Sequence, residues 1–263
     1  MTETSTLEQD FRRFADHPAS VLEGALLVSR FIDPVTDSAV IRRELLRLAN
    51  KVGPAASAER LLAVLRQEGF AGAESYYEAR NSSLGYVLAE RCGIPISLAV
   101  VILSVAELLD LPAQGINFPG HFLVLLERQL VDPFTLQVID AEARAQLFAQ
   151  AGIAPGTPLP PADARALTLR MLNNLKGIAL AAEDATRALE CTDFQLLLAP
   201  ADPGIRLERA QLWLKLGVHG MARRERDAAL ALCPDAASQA RLEAMFPSEI
   251  LQRAAEESSS RPH

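Results

Sequence analysis

With 263 residues, 49% of them hydrophobic, the chain can form one large domain or a catalytic-sized domain with a smaller appendage. Its formal net charge of −7 gives a phosphate backbone no basic face to meet, which argues against a nucleic-acid partner. Aromatic residues make up only 5% while Ala and Leu abound, and both rank high in helix propensity, so a mostly helical α+β chain is expected.

Cys92, Cys191 and Cys233 are odd in number and lack a C-x-x-C spacing, so free thiols are expected rather than a disulfide framework or a zinc site. The opening MTETSTLEQDFRRF has no basic stretch followed by an apolar one, which predicts no secretory signal and a cytoplasmic protein. The most apolar run, Ser97 to Leu109, falls short of the roughly 20 residues that span a bilayer, so no membrane partner is expected.

Residues 8 to about 80 read as amphipathic helices such as SAVIRRELLRLANKV and SAERLLAVLRQEGF, each begun by a serine able to cap. A further helix is predicted from Ser82 or Ser83 through Arg91, with Gly93 as its stop signal and GIPI as a connector. The helix from Ser97 to Asp110 is apolar on every side, the pattern of a helix enclosed by protein. QGINF, HFLVLL and QLVDPF then read as short antiparallel strands, the last two joined by a turn at Glu127 and Arg128.

PGTPLPPADA, residues 155–164, has four prolines in ten positions and predicts a linker between a domain at 8–154 and a second at 165–250. The second shows an internal offset of 34 residues, the period of tetratricopeptide repeats. Pro200 pairs with Pro234, Ala188 with Ala222, and Leu198 with Leu232. Ala210, Trp213, Gly217, Ala222, Ala229 and Pro234 fit the repeat in its second copy, whereas Lys176 and Glu183 replace small residues in the first. Two units plus a final helix are expected there. The basic cluster Arg223, Arg224 and Arg226, interrupted by Glu225 and followed by Asp227, predicts a solvated helix face.

Acyl transfer needs a nucleophile, a base and a group that orients the base. Ser97 at the start of the apolar helix, His121 after a Pro-Gly turn and Asp132 on the following strand supply the types. With a two-residue turn at Glu127 and Arg128, position 123 pairs with 132, which makes His121 and Asp132 diagonal neighbours on one face. Each has a structural reading as well: Ser97 as a helix cap, His121 as a core histidine, Asp132 as a turn former. Cys92, placed at the C-terminal end of its helix, meets the wrong end of the dipole for a thiolate. Asn81 and Ser82 are possible oxyanion-hole contributors, and His121 with Asp132 lacks the further ligands a metal needs, so neither metal nor cofactor is expected.

The run NSSLGYVLAERCGIPISLAVVILSVAELLDLPAQGINFPGHFLVLL, followed by LVDPF, resembles the SirB-type proteins of bacteria across about residues 10 to 245. That resemblance implies a transglutaminase-like core of the papain-like superfamily, a central helix on an antiparallel sheet, followed by tetratricopeptide repeats. It places the nucleophile at the helix start, where active transglutaminase-like enzymes have cysteine and this chain has Ser97, with His121 and Asp132 as the matching histidine and aspartate. The chain also lacks the glycine expected soon after DPF, in DPFTLQ, and Ala210 stands where a glycine often lies.

Three functions follow. The preferred one is a degenerate, non-catalytic transglutaminase-like protein whose cleft binds a peptide or protein segment, since a serine hydroxyl is protonated where a helix-start cysteine can be thiolate. The second is a hydrolase or acyltransferase using Ser97, His121 and Asp132. The third is a scaffold whose function lies in the repeats alone.

Overall fold

The computed structural model describes residues 6–154 and 156–246. The chain is mostly helical with a small antiparallel sheet and divides into two compact units, Met1–Asn174 and Leu175–His263.

The first unit opens with four helices, α1 (Leu7–Asp16), α2 (Val21–Ile32), α3 (Ser38–Val52) and α4 (Ala58–Gln67). Their starts are fixed by side-chain oxygens on orphan amides: Thr6 with a reciprocal bond from Gln9, then Ser20, Asp37 and Ser57. The cap of α3 is thus Asp37, with Ser38 already inside the helix. α3 and α4 each bury one stripe, Ile41, Leu45 and Leu48 on the first and Leu61, Leu62 and Leu65 on the second, whereas α2 is buried on every side from Gly24 to Ser29.

Strands β1 (Ala71–Gly72) and β2 (Cys92–Gly93) form a short parallel pair. Between them lie a 3-10 turn at Ala79–Ser82 and α5 (Leu84–Glu90). The predicted stop at Gly93 gives way to Arg91, which takes a left-handed conformation (φ 58°) just past Glu90. Its guanidinium donates to Glu44 and lies 5.0 Å from the Phe70 ring, so side-chain contacts hold a conformation that glycine adopts freely.

Helix α6 (Pro95–Leu108) begins two residues earlier than its apolar run suggested. Proline is suited to a first helical position because its missing N–H would have no intrahelical partner. Ile96 through Ala106 are all buried: α2 to α5 surround one side of α6 and the sheet covers the other.

That sheet runs β6-β5-β4-β3-β7, with β3 (Ala113–Phe118), β4 (His121–Leu126), β5 (Gln129–Asp132), β6 (Gln137–Val138) and β7 (Pro161–Ala162). Leu126 pairs with Gln129 across the two-residue turn at Glu127 and Arg128. Alternation gives the sheet two distinct faces. Ile116, Phe118, Leu123 and Leu130 form one cluster with Phe148 of α7 (Ala141–Gln150), while Phe122, Val124, Leu126 and Val131 project to the opposite face and α6.

The Pro-rich segment does not behave as a free linker. Pro161 and Ala162 pair with Ile116 and Gly115, and proline is tolerated there because β7 is an edge strand with, among the described residues, no outer strand that would need the N–H proline lacks. The division between units falls at Asn174 and Leu175, within α8 (Ala164–Ala181). Position 155 of the expected linker and 247–250 of the expected repeat region lie outside the described residues.

The second unit contains the end of α8, then α9 (Ala185–Leu198), α10 (Pro203–Lys215), α11 (His219–Ala231) and α12 (Ala236–Met245). Ala185, Ala188 and Leu189 pack with Leu212 and Trp213, and Leu207, Ala210, Ala222 and Ala229 pack with Leu242 and Phe246. The expected solvated face of α11 is half wrong. Arg223 and Arg224 are exposed, but Glu225 and Arg226 are each only 7% exposed. Glu225 accepts from Arg206 at 3.0 Å and Arg209 at 3.2 Å, and Arg226 donates to the Phe246 carbonyl, so partners on other helices draw these charges inward.

Candidate functional site

Ser97 is the third residue of α6 and is wholly buried. Its Oγ accepts from the Ile94 N–H at 3.1 Å and donates to the Asn81 carbonyl at 2.7 Å, with the Ile94 carbonyl also 3.1 Å away. It therefore reaches back to an amide just outside the helix, rather than capping from the first non-helical position. Gly93 presses on the same hydroxyl: a methyl group there would come within 2.7 Å of Oγ and 3.1 Å of Val87. Three segments, the 3-10 turn, β2 and α6, meet at this one oxygen.

Asn81 contributes an acceptor to this meeting, the opposite of the donor an oxyanion requires. Its side-chain amide is engaged elsewhere, on the Ser75 carbonyl at 2.6 Å. The Ser82 hydroxyl is buried and, among the described residues, has no hydrogen-bond partner. Cys92 sits beyond the end of α5, in β2, and is half-buried.

His121 opens β4 after a two-residue turn in which Pro119 precedes Gly120 at φ 74°, the order a type II turn requires. The imidazole is exposed, with its ring 6.2 Å from that of Phe118. Asp132 ends β5 and holds the following turn: Oδ1 accepts from the Phe134 N–H at 2.8 Å and Oδ2 from the Thr135 hydroxyl at 3.1 Å. The Phe134 ring lies against Gly72, leaving no room for a side chain there. Leu136, within DPFTLQ, takes φ 54°, a conformation that favours glycine, with its side chain buried, and its carbonyl accepts from Arg66 at 2.6 Å.

The register puts His121 and Asp132 on one face, together with Leu123 and Leu130. That face belongs to α7, whereas Ser97 is carried by α6 on the other. Among the described residues, no hydrogen bond joins Ser97, His121 and Asp132 to one another. The α6 face instead carries Arg170, an arginine that sequence patterning did not single out. It donates to Asn117 and lies 5.6 Å from the Phe122 ring, and burial pushes its pKa down. Only the folded sheet brings these three together. Among the described residues there is no group of three or more His, Cys, Asp and Glu able to hold a metal, and no helix is long and apolar enough to cross a membrane.

A central helix laid on an antiparallel meander and followed by paired helices defines a class, and sequence comparison agrees with it. The chain belongs to the transglutaminase-like superfamily, whose family model matches residues 38–173, and a tetratricopeptide-repeat model matches residues 175–247. Similar curated proteins carry the name UPF0162 protein. One from Vibrio cholerae is 32% identical over 234 residues, covering 82% of this chain and 87% of the relative. Another, from Pseudomonas aeruginosa, is 31% identical over 255 residues, covering 87% and 90%. A third, from Xylella fastidiosa, is 38% identical over 156 residues, and the match spans little more than half of each chain, 55% and 56%. No solved structure matches significantly.

Proposed function

We propose that the chain is a non-catalytic interaction protein: a transglutaminase-like core retained as a peptide- or protein-binding scaffold, with the repeats as a second contact surface. The observation that carries this reading is the state of the Ser97 hydroxyl, wholly buried and engaged with Asn81 and Ile94. A nucleophile needs an open approach and a base within hydrogen-bond reach. The repeats support the binding half of the proposal, since stacked helix pairs present extended surfaces. The closer likeness to SirB-type proteins and a cytoplasmic location belong to the same proposal.

A fluorophosphonate probe on the full chain tests it. The expected result is no labelling that depends on Ser97. Labelling of wild type that disappears in Ser97→Ala would establish the alternative, a hydrolase or acyltransferase using Ser97, His121 and Asp132. A scaffold acting through the repeats alone draws support from the match across 175–247. It predicts that substitutions in the first unit that preserve the fold leave partner binding unchanged.

A further inference from the structure

Gly85 in α5 has no internal reason to be glycine. Its φ is not left-handed, and a methyl group there would meet only the Ser83 hydroxyl, at 3.7 Å. Glycine is a poor helix former, so its presence here weakens α5 without relieving any clash inside the chain. Where glycine is required by neither turn nor packing, close approach of another backbone is a physical reason for it.

The surroundings of Gly85 supply the place for such an approach. It lines two hollows that also share Val40 and Ile41, one of about 450 Å³ and one of about 410 Å³, each within the range of ligand clefts. The first has Leu88 and Ile41 at its base and Arg43, Arg47 and Arg91 around it. The second is lined by Ile32, Val35 and Tyr86, with Val35 86% exposed.

Charge distinguishes the two ends. The first hollow is lined by three guanidiniums and one carboxylate, Glu44, which Arg47 and Arg91 share, and Arg47 also pairs with Glu68 behind it. Arg43 is exposed and, among the described residues, has no hydrogen bond or ion pair. The second hollow is acidic by contrast: Asp37 caps α3 and Asp33 accepts from the Val35 N–H at 3.2 Å, both carboxylates without an ion pair among the described residues, while Arg80 pairs with Glu78. A chain with net charge −7 thus presents a groove that is cationic at its Arg43 end.

We propose that this groove binds an extended peptide of a partner protein, whose backbone crosses at Gly85, whose apolar side chains enter the two hollows, and whose acidic residue meets Arg43. An extended strand sends alternate side chains to one side, which suits two hollows that adjoin at Gly85 and Val40. The groove shares no residue with Ser97, His121 or Asp132. The inference therefore goes beyond the function proposed above and does not rest on it: Ser97-dependent labelling would overturn that reading and leave this one standing.

The test is fluorescence anisotropy on the full chain with three labelled pools of short peptides, in which apolar residues alternate with acidic, basic or uncharged polar ones. The acidic pool is expected to bind best, to weaken with added salt, and to lose about tenfold or more in affinity in Gly85→Trp and in Arg43→Glu. Gly85→Ala controls for the helix and should melt no lower than wild type. If Gly85→Trp unfolds, Val40→Glu, at a half-exposed position, replaces it. Failure of every pool to bind, equal binding of all three, or binding unchanged by the variants would overturn the proposal. Self-association of wild type in sedimentation, abolished by Gly85→Trp, would also overturn it by placing a second copy in the groove.

Discussion

Taking one oxygen from position 97 leaves two backbone groups without a partner, the Ile94 amide and the Asn81 carbonyl, in a place water does not reach. Buried unsatisfied groups are costly, so Ser97→Ala is expected to destabilise the first unit by roughly 2 kcal/mol in urea denaturation. An unchanged midpoint would show that the hydroxyl is not the knot described here. Glu68 makes a pH-dependent counterpart. Hydrogen bonds from Arg47 and then Lys51 hold its carboxyl down from 4.5 to about 2. A carboxyl whose folded pKa is depressed contributes stability above its unfolded value and loses it as pH falls towards the folded one. Wild type should therefore lose melting temperature between pH 4.5 and about 2 more steeply than Glu68→Gln does. At this scale the sequence was readable in kind and silent on partners. The type and helix-start position of Ser97 were visible, but Asn81 lies 16 residues away and meets it only through tertiary packing.

The 34-residue offset becomes physical when the two copies are set side by side. Gly217 takes φ 74°, and its counterpart Glu183 takes φ 58°, so the first copy adopts with a carboxylate side chain the left-handed turn that the second makes with glycine. Glu183→Gly is expected to stabilise the second unit by about 1 kcal/mol and Gly217→Ala to destabilise it by a similar amount, read from thermal melts. Lys176 is likewise the counterpart of the fully buried Ala210. It is 7% exposed, with its ammonium on Gln195 and Glu208. The helical period and the strand register were legible because both rest on local alternation, and the two-residue turn did pair Leu126 with Gln129. The role of Pro161 was not, since an edge strand and a loop use proline alike until the neighbouring strand is known. Nor could alternation say which face of the meander α6 would cover, and that choice separates Ser97 from the side carrying His121 and Asp132.

Over the whole molecule, the three cysteines report on packing in both units. Cys191 is fully buried, and burial pushes its thiol up to about 11, whereas Cys92 and Cys233 are half-buried. Thiol titration with Ellman's reagent under native, mildly alkaline conditions should leave Cys191 unmodified until denaturant is added, as peptide mapping would show. Early modification of Cys191 would mean that α9 opens well below the global transition. Net charge and composition argued against one class of partner, but the position of an arginine-rim groove in an acidic chain needed the fold.

One contact within the first unit ties its two kinds of structure together. Glu127, at the tip of the β4–β5 hairpin, takes φ 54°, and its carboxylate accepts the Ala58 N–H at 2.9 Å, an amide in the first turn of α4. A helix end and a hairpin end that share a bond open at each other's expense. Amides of α4 and of the meander should then exchange with deuterium through a common opening, and Glu127→Ala should let the first turn of α4 exchange ahead of the strands.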